Sequence, residues 1–293
     1  MARLKTKDIE IEYDTLGDRS DPPMLMIMGL GGQLTTWDQG FCEQLADRGF
    51  YVLRYDNRDA GLSTKMESAG RADIVGAYSG RPHPAYTLDD LADDAVGVLD
   101  ALGVRAAHIV GASMGGFIAQ LVAINHPDRV LSLTSIMSGP GGEDTVPPTP
   151  EAGEVLTKAP GPTREERIEL GVAARRVFVG NGNPFDIEKE TRRVEEQYDR
   201  SYYPLGFGRQ LVAILAAGSR VTALAGVKVP TLVVHGIDDP LVPVENGRRV
   251  AAAVPAARLM ELEGMGHNLP ERDWPAVADA IAETARQASA VRS

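Results

Sequence analysis

The 293-residue sequence has little cysteine, few aromatic residues and a shortage of positive charge. Cysteine occurs once, at Cys42, which excludes an internal disulfide and leads us to expect a reducing, cytoplasmic setting. Aromatic residues make up 5% and hydrophobic residues 43% of the chain, enough for one large core. Lysine and arginine number 30 against 41 aspartates and glutamates, a formal net charge of −11. Because phosphate binding needs clustered basic residues, we expect no nucleic-acid partner.

Long hydrophobic runs are also missing. No apolar stretch approaches the roughly 20 residues of a membrane-spanning helix, and the first ten residues begin an alternating strand pattern without the apolar centre of a signal peptide. We therefore expect no stable membrane insertion.

No two histidines have metal-ligand spacing, and the glycine-rich segment 29–32 lacks the Gly-Lys-Ser/Thr ending of a phosphate loop. The sequence thus predicts neither a metal nor a cofactor.

Strand and helix patterns alternate through the first half of the chain. Apolar or alternating runs predict strands at 8–16, 24–28, 51–55, 107–112 and 130–137. Helical patterns lie between them, at 38–48, 87–102 and 115–125. Two further strand patterns come late, at 231–236 and 258–263. This alternation predicts an α/β fold with a mostly parallel central sheet and helices on both faces.

The segment 139–226 interrupts the alternation. Its beginning, up to Pro150, is rich in proline and glycine and predicts a linker. Helical patterns follow near 163–179, 186–201 and 204–218. We therefore divide the chain into a core, residues 1–138 and 227–293, and a helical insertion, residues 139–226.

The strongest candidate for chemistry is Ser113. Residues 107–116 read as a short apolar strand, then Gly-Ala-Ser-Met-Gly, then the start of a helix. A serine on such a sharp strand-to-helix turn has its hydroxyl lifted into the open, and Gly111 and Gly115 avoid collisions across the turn. The pattern therefore predicts a nucleophilic serine.

An acid and a histidine follow later in the chain. One buried-strand pattern leads into Asp238 and Asp239, and the next strand leads into a loop that ends at His267. We expect these loops and the turn at Ser113 to converge on one site. Imidazole, with an ordinary pKa of about 6.5, suits a base that takes the serine proton and later returns it. A carboxylate would hold the other ring nitrogen.

Several segments together carry a resemblance to a known family. They are 26–32, 54–63, the turn at Ser113, Asp239-Pro240 and 264–267. On these residues, and over nearly its whole length, the chain resembles the α/β-hydrolases of the carboxylesterase and lipase group, most of all the aclacinomycin methylesterase type. The resemblance implies the α/β-hydrolase fold. It also implies a serine hydrolase that needs no cofactor and cleaves small to medium carboxylic esters through an acyl-enzyme.

The same resemblance bears on the acid and on the oxyanion hole. In this family the catalytic acid directly precedes a proline, which assigns the role to Asp239. Backbone N–H groups of Leu30 and Met114 would hold the oxyanion. Met28 stands where many relatives have histidine. Because the oxyanion donor is a backbone N–H, we expect this substitution to change the wall of the pocket more than the chemistry.

The resemblance places the insertion above the active site, where its apolar side chains would wall the substrate pocket. The alternative is that its aromatic residues only hold the insertion together. The candidates for substrate contact are Trp37, Phe178, Phe207 and Leu241. We expect the insertion to control selectivity more than the chemical step, because it contains none of the predicted triad residues or oxyanion donors. The charged segment 54–63 would brace the loops below the pocket.

Other functions use the same residues. Thioesterases, lactonases and carbon–carbon bond hydrolases share this triad, and no residue of the sequence excludes them. Epoxide hydrolases and haloalkane dehalogenases are disfavoured, because they need a carboxylate at position 113. A receptor that binds a ligand on this fold without turnover is the alternative from another class. Fold alone does not choose the substrate; the expected partner is a small-molecule ester, and no pattern indicates an oligomeric state.

Overall fold

The computed structural model describes residues 1–182 and 184–292, with side chains up to residue 288. Its strands are β1 (Ala2–Lys5), β2 (Glu10–Leu16), β3 (Pro23–Ile27), β4 (Tyr51–Tyr55), β5 (Ala107–Ala112), β6 (Val130–Ile136), β7 (Thr231–Gly236) and β8 (Arg258–Leu262). Its α-helices are α1 (Gln39–Ala46), α2 (Ile74–Tyr78), α3 (Leu88–Ala101), α4 (Met114–Asn125), α5 (Pro150–Thr157), α6 (Arg164–Phe178), α7 (Ile187–Arg200), α8 (Pro204–Ala216), α9 (Val221–Leu224), α10 (Val244–Ala253) and α11 (Trp274–Arg292). Within these residues, no helix is both long and apolar enough to cross a membrane.

The strands form one twisted sheet in the order β1-β2-β4-β3-β5-β6-β7-β8. The pairs β1–β2 and β2–β4 are antiparallel, and all the other neighbours are parallel. Successive residues of a strand point to opposite faces, so Leu25 and Ile27 of β3 enter one hydrophobic core while Met24 and Met26 enter another. Helices α3 and α4 cover the first core, and α1 and α11 cover the second. The predicted fold class is confirmed.

Helices α5 to α9 lie between β6 and β7, and no strand interrupts them in the described part of this segment, which omits residue 183. Helices α6, α7 and α8 match the three predicted helical stretches. Helix α5 was not predicted, because the residues before it, 139–150, are rich in proline and glycine. It begins where Thr149 accepts a hydrogen bond from the Ala152 N–H and Pro150 takes the first helical position, which needs no donor. We call residues 139–226 the cap; these boundaries stay a prediction.

Parallel strands bring their carboxyl ends to one edge of the sheet. The loops after β3, β5, β7 and β8 therefore meet there, and clefts at such edges are where α/β proteins bind ligands. These four loops carry Leu30, Ser113, Asp239 and His267. The fold thus gathers the predicted site residues from distant parts of the chain.

Candidate active site

Ser113 lies on the turn between β5 and α4, with φ 56° and ψ −122°. Positive φ is unfavourable for a residue that has a side chain. Glycine neighbours make the turn possible: a Cβ on Gly111 would collide with the Gly115 carbonyl oxygen, and a Cβ on Gly115 would collide with the Ile27 carbonyl oxygen. The Ser138 hydroxyl donates to the Ser113 carbonyl oxygen at 2.8 Å. The serine is therefore held rigidly at the carboxyl edge of the sheet.

His267 connects Ser113 to a buried carboxylate. Its Nε2 lies 3.0 Å from Ser113 Oγ, and its Nδ1 lies 2.7 Å from Asp239 Oδ2. Because an ionised carboxylate only accepts hydrogen bonds, Nδ1 carries the hydrogen and Nε2 can accept the serine proton. Asp239 Oδ1 accepts from the N–H groups of Leu241 and Val242 at 2.9 and 2.8 Å. These bonds fix the direction in which the carboxylate faces the imidazole.

The neighbouring carboxylate, Asp238, turns elsewhere. Its Oδ2 accepts from the Asn181 N–H at 3.2 Å, and the residue is partly exposed. Asp239 is buried, with 5% of its surface exposed. The structure therefore brings Asp239, and not Asp238, to His267.

A second histidine lies beside the buried acid. His235 is fully buried on β7, with Nε2 2.6 Å from the Val242 carbonyl oxygen and 3.7 Å from Asp239 Oδ2. Burial lowers the pKa of His235 from its ordinary value, and the hydrogen bond to Val242 opposes this only in part. A neutral ring that donates from Nε2 to the carbonyl satisfies this geometry. His235 thus anchors the loop that carries the acid.

The loop of residues 28–34, which we call the oxyanion loop after its predicted role, passes against Ser113. A Cβ on Gly29 would lie 2.9 Å from the Ser113 Cβ, closer than real Cβ contacts come, so glycine is needed. Among the described residues, the N–H groups of Leu30 and Met114 donate no hydrogen bond within the protein. Met114 opens α4, and the first N–H groups of a helix have no partner inside it. Both groups can therefore bind a ligand oxygen.

Residues that follow β4 hold the two ends of the oxyanion loop. Asp56 Oδ1 accepts from the Leu34 N–H at 2.7 Å, and Asn57 Nδ2 donates to the Met28 carbonyl oxygen at 2.9 Å. Both side chains are fully buried. This part of the segment 54–63 therefore acts on the site through the loop.

A cavity of about 500 Å³ adjoins His267. Its apolar lining includes Met28, Trp37, Phe41, Ala112, Met137 and Phe178. Phe178 lies at the end of α6, and its ring meets the His267 imidazole edge-on with centroids 6.0 Å apart. The backbone carbonyl oxygen of Phe178 accepts a hydrogen bond from the backbone N–H of His267 at 2.7 Å. The volume and lining are those of a site for a drug-sized molecule.

Charged side chains line the same cavity and neutralise one another. Its lining contains the cations Arg175, Lys189, Arg193 and Arg272 and the anions Asp38, Asp186, Glu190 and Glu271. The ion pairs are Arg175–Glu190, Arg193–Glu190, Arg193–Asp38 and Lys189–Glu271. With Arg272 beside Asp273 at 3.4 Å, each cation of the described lining has a carboxylate within 4 Å.

Residues 22–272 match the family model of the alpha/beta hydrolase fold. The chain belongs to this family. Rhodomycin D methylesterases of Streptomyces sp. (strain C5) and Streptomyces peucetius are 34% and 33% identical to this hydrolase, each over 98% of this chain and 99% of the relative. A 2-hydroxy-6-oxononadienedioate/2-hydroxy-6-oxononatrienedioate hydrolase of Paraburkholderia phymatum is 32% identical over 89% of this chain and 85% of its own. Among solved structures, a 2-hydroxy-6-oxo-6-phenylhexa-2,4-dienoate hydrolase of Rhodococcus has a TM-score of 0.79 at 19% identity over 97% of each chain. The resemblance inferred from the sequence is confirmed.

In this hydrolase the predicted substrate-contact residues divide into two groups. Trp37 and Phe178 line the cavity. Phe207 does not; a Cβ on Gly31 would lie 2.8 Å from its ring, so the ring packs on the oxyanion loop. Leu241 also lies outside the lining, and its N–H holds the buried acid. Direct substrate contact by Phe207 or Leu241 stays a prediction.

Sequence reasoning missed several residues of the site. Phe41, Met137 and Trp274 line the cavity, yet apolar residues in predicted helices and strand ends look like core residues. Gln210 was also missed: it is fully buried on α8 and its Oε1 accepts from the Gly31 N–H at 2.8 Å. The available signal was a glutamine directly before the apolar residues 211–216 of α8.

Proposed function

We propose that this hydrolase cleaves carboxylic esters, methyl esters in particular, with Ser113, His267 and Asp239 as its catalytic triad. The observation that carries the proposal is the continuous hydrogen-bond chain from Ser113 Oγ through the His267 ring to Asp239. Ser113 attacks the ester carbonyl carbon while His267 Nε2 takes the hydroxyl proton. The N–H groups of Leu30 and Met114 hold the negative oxygen of the tetrahedral intermediate.

Collapse of that intermediate breaks the bond to the alcohol. His267 gives its proton to the departing alkoxide, so methanol leaves from a methyl ester and an acyl-enzyme remains on Ser113. Water then attacks the acyl carbon as His267 takes its proton. The second intermediate expels the serine oxygen, which recovers the proton from His267, and the acid is released. Asp239 stabilises the imidazolium in both halves of the reaction.

Two relatives at 33–34% identity over nearly the whole chain are named methylesterases. A methyl ester has a very small alcohol, so most of such a substrate is its acyl part. The cavity beside His267 has room for a bulky acyl group, and its paired charges suit an uncharged one. The acyl group would contact Trp37 and Phe178.

Alternative hydrolases with the same triad are less well supported. Relatives that act on 2-hydroxy-6-oxononadienedioate have a substrate with two carboxylates by name. In the described cavity lining every cation has a carboxylate within 4 Å, the remaining pair being Arg272 with Asp273 at 3.4 Å. A dianion would have to displace these partners, whereas a neutral ester would not.

The Ser113→Ala variant tests the proposal. We expect it to fold and to lose several orders of magnitude of kcat on p-nitrophenyl butyrate, since only binding and the oxyanion hole remain. An organophosphate should add one equivalent to the wild type at Ser113 and none to His267→Ala. Retention of more than about a tenth of the rate in Ser113→Ala, or labelling elsewhere, would overturn the triad. Failure of the wild type to turn over any ester would instead support a ligand receptor.

The location that we propose is the cytoplasm. Cys42 is a buried free thiol, which suits a reducing compartment. Fractionation of the source cells tests this, and recovery of the protein outside the cytoplasm would contradict it.

A further inference from the structure

The middle of the oxyanion loop is held by the cap. Gln210 Oε1, on α8, accepts from the Gly31 N–H at 2.8 Å, and Gln210 Nε2 donates to the Arg58 carbonyl oxygen at 2.8 Å. The side chain is fully buried. If the amide were turned by 180°, its NH₂ group would face the Gly31 N–H and its oxygen would face the Arg58 carbonyl oxygen. The two partners therefore fix the orientation of the amide. One amide therefore ties the loop to the segment after β4.

Two residues on one face of α8 contact Gly31. Residues three apart on a helix are neighbours, and Phe207 packs its ring on Gly31 while Gln210 binds the Gly31 N–H. Gly31 has φ +66°, which a residue with a side chain rarely adopts. Leu30 lies between Gly31, which α8 contacts, and Gly29, which packs against Ser113. Fixing Gly31 thus fixes the orientation of Leu30.

A second cap contact supports the same loop. Gln33 Nε2 donates to the carbonyl oxygens of Gln197 and Ser201 at 2.6 and 3.1 Å, and Gln33 Oε1 accepts from Arg200 at 2.6 Å. These partners lie at the end of α7. The core holds the loop at Met28 and Leu34, as described above, and the cap holds it between those points.

We propose that Gln210 is a positioning residue for ester hydrolysis, which keeps the Leu30 N–H where the oxyanion forms. The inference rests on the function proposed above. It gives the cap a part in the chemical step, in addition to selectivity. Because every ester forms an oxyanion, loss of Gln210 slows all esters by a similar factor. The effect falls on kcat more than on KM, because oxyanion donors bind the transition state more tightly than the ground state.

Gln210→Leu removes both hydrogen bonds with little change in volume. We expect kcat to fall about 10- to 100-fold on p-nitrophenyl butyrate and on a longer p-nitrophenyl ester alike, with KM within about threefold, because small misplacement of a catalytic group has costs of this size. The affinity for a trifluoromethyl ketone, which forms an oxyanion when Ser113 adds to it, should fall in parallel with kcat/KM. Loss of packing alone would not produce that parallel.

Gln210→Glu separates the two hydrogen bonds. An ionised carboxylate keeps the acceptor for the Gly31 N–H but loses the donor to Arg58, and protonation restores a donor. Burial raises the pKa of such a carboxyl group. The kcat of this variant relative to the wild type should therefore rise as the pH is lowered from about 8 to about 6. A flat ratio over this range would contradict a role for the hydrogen bond to Arg58.

Asn246→Ala is the matched control. Asn246 is a fully buried amide of α10; its Nδ2 donates to the Val146 carbonyl oxygen at 2.9 Å and its Oδ1 accepts from the Val146 N–H at 2.8 Å. These two bonds also tie the cap to the core, but they do not involve the oxyanion loop. We expect the kcat of this variant to stay within about twofold of the wild type, as for a substitution away from the reacting groups. Equal kcat values for Gln210→Leu and Asn246→Ala, or a change of ester preference without loss of kcat, would overturn the inference.

Folding and the proposed function are checked separately. If Gln210→Leu does not fold, the pH dependence of Gln210→Glu decides the matter. If the proposed function fails, the wild type shows no ester turnover and Ser113 is not labelled, and both proposals are overturned together. If the wild type is active and labelled but the Gln210 variants behave like the control, only the role of Gln210 is wrong.

Discussion

At the scale of single residues, Asp239 and Asp238 are chemically identical and differ only in what surrounds them. Asp239→Asn would present an amide to His267 and favour the wrong imidazole tautomer, so we expect kcat to fall at least about 100-fold. Asp238→Asn, which affects a contact with the Asn181 backbone, should cost less than about tenfold in kcat. Steady-state kinetics of both variants on one ester provides the comparison. The reverse order of effects would assign the acid to Asp238.

We expect His235 to make the stability of the fold depend on pH. Burial lowers the pKa of His235 in the folded protein, while in the unfolded chain it returns to about 6.5. Below that pH the unfolded chain takes up a proton that the folded protein does not, so the free energy of unfolding decreases as the pH falls. The contribution of neutral His235 is complete above this range.

His235→Gln retains an N–H donor for Val242 but does not titrate. We expect its unfolding free energy to fall less steeply below pH 6.5 than that of the wild type, by up to about 1.4 kcal/mol per pH unit. Urea denaturation at a series of pH values measures both slopes. Parallel curves for the two proteins would contradict a role for His235.

At the scale of elements, α6 and α8 approach the site differently. Phe178 of α6 lines the cavity beside His267, whereas Phe207 of α8 packs on Gly31. Phe178→Ala enlarges the cavity, so we expect a shift of the preferred acyl length toward longer chains. Rates over a series of p-nitrophenyl esters measure this preference.

Phe207→Ala is the comparison for that series. Because its ring contacts the oxyanion loop, we expect similar rate losses on every ester. A changed length preference in Phe207→Ala would show instead that Phe207 contacts substrate. An unchanged preference in Phe178→Ala would show that Phe178 of α6 does not determine which acyl length is preferred.

At the scale of the whole molecule, the cap is joined to the core by ion pairs of very different burial. Arg209 of α8 makes a bidentate pair with Asp59 at 2.7 and 2.9 Å, and their side chains are 1% and 0% exposed. Arg193 of α7 pairs with Asp38, and both side chains are about a third exposed. Removing one partner of a buried pair leaves the other charge buried without a partner, whereas water screens an exposed pair.

Arg209→Met should therefore lower the free energy of unfolding by about 3–5 kcal/mol. Arg193→Met should lower it by less than about 1 kcal/mol. Urea denaturation followed by circular dichroism compares the two variants under the same conditions. Similar small losses for both would mean that the buried pair does not hold the cap to the core.

The sequence by itself determined the fold class and the arrangement of the predicted nucleophile, because both depend on local rules. A buried strand reads as a continuous apolar run, and the turn at Ser113 accepts only glycine at positions 111 and 115. The loops that carry Asp239 and His267 follow recognisable strands, so topology alone brings them to one edge of the sheet.

Only the tertiary structure decided which side chains surround these groups. Gln210 and Gly31 are 179 positions apart in the chain, and nothing local to either residue indicates that they meet. Phe178 and Phe207 both lie in helices of the cap, yet one lines the cavity and the other packs on a loop. Contacts of this kind depend on how the helices pack against the core, and packing joins residues that are distant in sequence.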